Sequence, residues 1–272
     1  MYKSSRELKI KALILAAGRG SRLKELSKLW PKCLMPINGR PLLEIWLDYL
    51  LVLGIRDIVV NTHYFSNEVS SFLSRDKYKE LVSESFESEL LGSAGTVRNN
   101  YSFLSNSTIL LVHGDNLCNA DLAQFYQAHL SRPEGCLMTM MTFTTDNPQS
   151  CGIVEYNNEG VLINFHEKVD CPPGDEANGA VYLLEQEVLD FIYKNEDIVD
   201  FSNQVIPAFI NKIFIWHNKK VHIDIGTPDT LLSAQKVDPF FVPENKEGDD
   251  WESLFQNHII HKEINKMALK DL

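Results

Sequence analysis

No two of the five cysteines, Cys33, Cys118, Cys136, Cys151 and Cys171, are spaced as C-x-x-C, and their number is odd. A disulfide scaffold or zinc ribbon is therefore not expected, and free thiols in a reducing compartment are. Long apolar runs are missing too. Those at 12–17 and 108–112 fall far short of the ~20 residues that cross a bilayer as a helix. The N-terminus has a basic start and an apolar stretch, but it runs directly into a glycine loop, so it reads as a first strand and not as a signal peptide. A cytoplasmic location without a membrane partner is the expectation. No internal repeat is visible, and basic residues form no stripe. With 26 Lys and Arg against 37 Asp and Glu the net charge is −11, which argues against a nucleic-acid partner. A small polyanion can still bind such a chain through a few focused cations, backbone N–H groups or a metal ion. What is present is ordinary: 44% hydrophobic and 23% charged residues in 272 positions exclude a disordered or collagen-like chain.

The order of elements alternates strand and helix. Residues 9–17 form a short apolar run ending in glycines, and 41–53 carry a helical apolar period stopped by Gly54. Strands are expected at 58–62, 79–84 and 108–112. Helices are expected from 68, from 95 and over 121–130, the last capped by Asp121. Residues 136–144 are β-rich. From about Cys151 hairpins enter: 153–156 and 160–167 flank Asn157-Asn158-Glu159-Gly160, and 213–216 and 221–225 flank His217-Asn218-Lys219-Lys220. A strand at 180–184 and helices at 187–194 and 229–236 complete this part. Residues 238–250 read as an acidic linker. Beyond it, Trp251, Leu254, Phe255, Ile259, Ile260, Ile264 and Met267 fall at roughly helical spacing, predicting a tail helix that docks on its own chain or on a second copy. This pattern is that of an α/β protein with a mixed, mainly parallel central sheet flanked by helices. Residues 1–236 would form the main domain and 237–272 a linker and helical tail.

The first strand ends in Leu15-Ala16-Ala17-Gly18-Arg19-Gly20-Ser21-Arg22-Leu23. Glycines let the backbone approach a ligand, and consecutive N–H groups in such a turn make an anion site. A dinucleotide loop requires a third glycine where Leu23 stands, and a Walker loop requires G-K-[ST]; neither is present. Ten residues after Arg22 comes Lys32, within Trp30-Pro31-Lys32-Cys33-Leu34-Met35-Pro36-Ile37, followed by Gly39-Arg40-Pro41-Leu42. A bound polyanion needs fixed cations: Arg22 offers a planar fork and Lys32 a compact charge.

The whole stretch resembles the signature of the sugar-1-phosphate nucleotidyltransferases: G-x-G-x-R, P-K about ten residues on, then P-[IV]-x-x-[KR]-P. Further segments are similar to the family in order. Glu89-Leu90-Leu91-Gly92-Ser93-Ala94-Gly95 resembles its base-binding loop E-x-L-G-T-A-G. Gly114-Asp115 resembles its metal-holding G-D. Glu167-Lys168 resembles the E-K pair that grips the sugar phosphate, and Asn178-Gly179-Ala180 the sugar-binding turn. Asp224-Ile225-Gly226-Thr227-Pro228 resembles the D-[IV]-G-T-P segment that supplies a second metal carboxylate. Cys151-Gly152 stands where the family usually has Tyr-Gly, and His222 where tryptophan is frequent.

The resemblance spans residues 9–236 and implies a Rossmann-like nucleotidyltransferase fold of glycosyltransferase-A type, with a β-hairpin sugar-binding part. It implies Arg22, Lys32, Asp115 and Lys168 as catalytic residues, and Asp115 and Asp224 as ligands of Mg²⁺. Leu15, Ala17, Gly18, Gly20, Ser21, Glu89, Gly92 and Ser93 would bind the nucleotide, and Gly152, Glu167, Lys168 and Asn178 the sugar. Substrates would be a nucleoside triphosphate and a sugar 1-phosphate, giving a nucleotide-sugar of the kind used in polysaccharide synthesis. GTP with mannose or a related heptose 1-phosphate fits best. Uridylyl or thymidylyl transfer to a hexose or amino-sugar phosphate, and a non-catalytic regulatory subunit, are the alternatives. A homodimer is compatible with the tail.

Overall fold

The computed structural model describes residues 10–237 and 248–269. Its strands are β1 Ile10–Leu15, β2 Pro36–Ile37, β3 Arg40–Pro41, β4 Asp57–Thr62, β5 Val82–Phe86, β6 Thr108–His113, β7 Asn116–Cys118, β8 Met138–Thr144, β9 Gly152–Tyr156, β10 Leu162–Glu167, β11 Glu176–Leu184, β12 Ile213–His217 and β13 His222–Asp224. Helices lie between most of them, so the fold is α/β with a mixed sheet. Among the described residues no helix is long and apolar enough to cross a membrane, and all five cysteines are free.

The chain divides into two compact units. The first holds residues 10–13 of β1 together with Leu90–His113 and Asn119–His222. Its strands run in the order β10-β9-β11-β6-β1, with β8 on β11 and β12 on β8. β11 is antiparallel to β6, β8 and β9, whereas β12 runs parallel to β8. The central strands are buried on both faces, as over 109–112 of β6 and 138–142 of β8, and Leu111, Met138, Met140 and Tyr182 join Phe125 and Phe201 in the core. The hairpin expected at 157–160 forms: Gly160 N–H donates to Asn157 O, and β9 pairs antiparallel with β10. The second expected hairpin does not. β12 extends its ladder on β8 as far as Asn218, whose N–H donates to Thr142 O. The buried Asn218 carboxamide then accepts from Lys220 N–H. The chain leaves β12 there, and β13 pairs with β7 instead.

The second unit holds Ile14–Glu89, Gly114–Cys118 and the described part of Ile223–Leu272. Its helix Leu42–Val52 is apolar on nearly every face and is buried accordingly. Gly54 ends it at φ +83°: Ile55 N–H reaches Leu50 O and Gly54 N–H reaches Leu51 O, a left-handed cap that favours glycine. β4 and β5 pair in parallel, five residues that include the 82–84 part of the expected 79–84 strand.

Lys9 and residues 238–247 of the expected linker lie outside the described residues. The single tail helix predicted from spacing is two, Asp250–Gln256 and Ile259–Ala268. His258 breaks it by taking an extended conformation and accepting from Ile260 N–H through Nδ1, which starts the second helix. This tail packs on its own chain: Trp251 and Phe255 stand against Trp30, and Trp251 against Phe72.

Candidate active site

In the second unit, β1 delivers Leu15 into the glycine loop. The loop is held at its entry, where Ala16 N–H donates to Asn61 Oδ1 at 2.7 Å. Asn61 in turn donates to Glu87 Oε1 at 2.9 Å. Both side chains are buried, so this polar pair is satisfied within the protein and fixes the loop against β4. Ala17 is buried, while Gly18 and Ser21 are exposed. Gly20 adopts φ +62°, and a Cβ there would meet the Cβ of Lys32 at 3.1 Å. Glycine therefore serves both the backbone and the approach of Lys32.

Lys32 opens a short 3-10 turn, Lys32–Leu34, directly after Pro31. Its side chain is 7% exposed, which is rare for lysine without partners. It has two. Nζ lies 2.6 Å from Asp115 Oδ2 and 2.9 Å from Asp224 Oδ1. Burial alone would lower its pKa, but the two carboxylates outweigh that and hold it above the ordinary lysine value. Arg22 Nη2 takes the other oxygen of Asp224, Oδ2, at 3.0 Å. Asp115 and Asp224 are brought together by the backbone, since Ile225 N–H donates to Asp115 O. Trp46 steadies the same segment by donating to Asn116 O. Gly114, just before Asp115, has no room for a side chain: a Cβ would meet Ile14 Cγ2 at 2.7 Å. Two of the four predicted catalytic residues and both predicted metal carboxylates thus converge, with Arg22 at their edge. Lys168, the fourth, lies in the other unit. Cys33, beside Lys32, is buried and its thiol is pushed up to about 12, so it is no nucleophile.

The donor set suits a hard divalent cation. Among the described residues no cluster of three or more His, Cys, Asp and Glu could hold a metal alone. Two convergent carboxylates completed by phosphate oxygens and water are, however, the usual surroundings of Mg²⁺. Glu89 is exposed at the end of this unit.

In the first unit, Gly92 has φ +76°, and a Cβ would strike Val199 O at 2.4 Å. Ser93 Oγ accepts from Phe201 N–H at 2.8 Å, so its predicted contact with nucleotide would share an oxygen already engaged. Glu167 lies opposite Gly152 in the β9–β10 ladder. Lys168, at φ +50°, pairs with Glu167 at 3.0 Å and is otherwise exposed. Asn178 lies at an irregularity of β11, not in a turn preceding it: its Oδ1 accepts from Ala180 N–H while Nδ2 donates to the Tyr182 hydroxyl. Ala180, at φ +52°, carries the bulge that re-aims this stretch. Sequence reasoning did not single out Asn61, Glu87 or Tyr182. Only Asn61 carries a signal, an amide in a strand that otherwise reads as core; Glu87 lies just past β5, and Tyr182 reads as an ordinary strand residue of β11.

The family model for nucleotidyl transferases matches residues 11–239. The chain belongs to the nucleotidyl transferase family. It is 29% identical to the mannose-1-phosphate guanylyltransferase of Mycobacterium tuberculosis over 231 residues, which are 82% of this chain and 63% of that one. It is also 29% identical to the UTP–glucose-1-phosphate uridylyltransferase of Synechocystis, over 96% of this chain and 66% of that one. The chain therefore spans less than two thirds of the length of these two curated relatives. The crystal structure of HddC from Yersinia pseudotuberculosis shares the fold, with a TM-score of 0.69 at 24% identity, over 83% of this chain and 98% of that one.

Proposed function

We propose that this chain transfers a nucleotidyl group from a nucleoside triphosphate to a sugar 1-phosphate, giving a nucleotide-sugar and pyrophosphate. The observation that carries the reading is one ammonium, Lys32, clasped between Asp115 and Asp224 with Arg22 on the second oxygen of Asp224. An acidic chain concentrates cations and carboxylates at one strand-end loop cluster, where phosphoryl chemistry needs both signs.

A phosphate oxygen of the sugar 1-phosphate attacks the α-phosphorus in line. The bond from α-phosphorus to the bridging oxygen breaks, and pyrophosphate carries that electron pair away. No covalent enzyme intermediate is needed, so the chain's work is positioning and charge stabilisation. Asp115 and Asp224 would hold Mg²⁺, which supplies neutralisation of the phosphate charge when bound. Arg22 and Lys32 bind the triphosphate and stabilise the leaving group. The loop at Leu15, Ala17, Gly18, Gly20 and Ser21 receives the phosphates and sugar of the nucleotide, and Glu89, Gly92 and Ser93 its base. Lys168 orients the attacking phosphate, and Glu167, Asn178 and the Gly152 backbone receive the sugar hydroxyls.

GTP with mannose 1-phosphate, or a related heptose 1-phosphate, is the favoured pair, supported by the guanylyltransferase relative. UTP with a hexose 1-phosphate is the second reading, supported by the uridylyltransferase at the same identity. Pyrophosphate release with Mg²⁺, measured over a grid of nucleoside triphosphates against sugar 1-phosphates, tests both. One active square is expected. A dark grid from a chain that still binds nucleotide-sugars would replace the enzyme by a regulatory subunit.

A further inference from the structure

The two tail helices lie beyond residue 239, where the family match stops. They are nonetheless tied to the segment that carries Lys32, by contacts that all lie within the second unit. Trp30 is the link. Its indole Nε1 donates to Leu34 O at 2.9 Å, across the Lys32–Leu34 turn. Its ring packs on three tail rings, with centroids 4.3 Å from His258, 6.0 Å from Phe255 and 6.4 Å from Trp251. Gln256 Nε2 reaches the next turn, donating to Gly39 O at 2.8 Å.

The tail is itself anchored. Arg75, with a side chain only 4% exposed, binds Asp249 at 2.6 Å and Glu252 at 3.5 Å, and lies 4.9 Å over the Trp251 ring. It also binds the buried Glu44 of the body at 3.2 Å. A buried cation so surrounded does not release its partners without leaving a charge unpaired. The tail is thus fastened at Arg75 and presses on Trp30, and Trp30 spans the turn that sets the Lys32 backbone.

We infer that the C-terminal helix pair is a clamp that positions Lys32, with Trp30 and His258 as positioning residues. This rests on the reaction proposed above for Lys32. The competing role is plain stabilisation of the fold, and the two differ in what they move.

The test uses the full chain with His258→Asn, which keeps an acceptor for Ile260 N–H and removes the ring, and His258→Phe, which does the reverse. Amide exchange is followed at Leu34 and Met35, whose N–H groups close the Lys32 turn on Pro31 O and Lys32 O, and at Ile58 and Val60 of β4 as reference. His258→Asn should speed exchange selectively at Leu34 and Met35 by about tenfold, and His258→Phe should not. In pyrophosphate release, His258→Asn should lower kcat by about tenfold or more at unchanged KM for the triphosphate, since a misplaced group acts on the transition state. That loss should vanish in a Lys32→Ala background. Equal acceleration at all four amides, selective loosening with kcat unchanged, or an undiminished loss beside Lys32→Ala would each overturn the clamp. If the unaltered chain releases no pyrophosphate with any pair, the reaction reading fails, and the exchange pattern alone still decides whether the tail holds the turn.

Discussion

Gly226 lies against the Arg22 guanidinium: a Cβ at position 226 would come 2.6 Å from Arg22 Nη2 and 2.9 Å from Asp224 Oδ2. Both atoms belong to one ion pair, so a single methyl would push the fork off the carboxylate. The expected result of Gly226→Ala is a fall in kcat of about tenfold to a hundredfold. Thermal stability should change little, because φ at 226 lies outside the left-handed range and alanine can follow the same backbone. Steady-state kinetics beside a melting curve check this; full activity would show that the Arg22–Asp224 pair is dispensable.

Lys32→Ala removes the ammonium between Asp115 and Asp224 and should cost roughly a hundred- to a thousand-fold in kcat. Asp224→Asn should also be severe, since it discharges one side of the clasp. The pH dependence follows from the sign of the Lys32 shift. Its folded value is raised, so the ion-pair contribution to stability is fully present below the ordinary lysine value and is lost only as pH rises through the folded one. Turnover should therefore show no lysine-type loss below about pH 10. A kcat profile that falls between pH 8 and 9, and no longer does so in Lys32→Arg, would contradict the clasp.

The parts of this molecule that read from sequence are those in which one local rule decides. Alternating strand and helix, the Asp121 cap that accepts from Gln124 N–H, and the turn at 157–160 follow from period and turn chemistry. The Lys32 motif was legible as a spacing, but its clasp was not: Asp115 and Asp224 stand 83 and 192 residues away. Where tertiary pairing competes with local pattern, sequence misleads. Two apolar runs around 217–220 look like a hairpin, yet β12 finds a better edge on β8. The β11 bulge at Asn178–Ala180 needs a positive φ at an alanine, which no propensity announces. The tail reads as one helix because its apolar period continues through His258, whereas the side chain of His258 caps a new start.

Gly152 faces the ring of Phe165 and the Glu167 carboxylate so closely that a Cβ would lie 2.4 Å from Phe165 Cζ and 2.5 Å from Glu167 Oε2. Gly152→Ala must displace Glu167, the proposed sugar-hydroxyl acceptor. KM for the sugar 1-phosphate should rise about tenfold or more, with KM for the triphosphate little changed. A rise in both, or in neither, would separate Glu167 from sugar recognition.

His129 carries a pH effect of its own. It is wholly buried, with Nδ1 2.7 Å from Thr139 Oγ1 and Nε2 3.0 Å from Glu185 Oε1. Glu185 could in principle favour the imidazolium, but Arg132 already neutralises it at 2.6 Å. Burial first, and the Arg132 charge second, lower the histidine to about 3. An unfolded histidine binds its proton near pH 6.5, so the unfolded state takes up a proton that the folded state refuses. Stability from this group is complete above that value and is lost as pH falls toward the folded one. At pH 5 the loss amounts to about 2 kcal/mol, the distance of 1.5 pH units times the free energy of one. Urea unfolding at pH 7.5 and pH 5 measures it. The unaltered chain should lose about 2 kcal/mol more between these pH values than His129→Gln does, because glutamine bears no proton to refuse. Equal losses would mean that the imidazole is protonated in the folded chain and that Glu185, not Arg132, sets its charge.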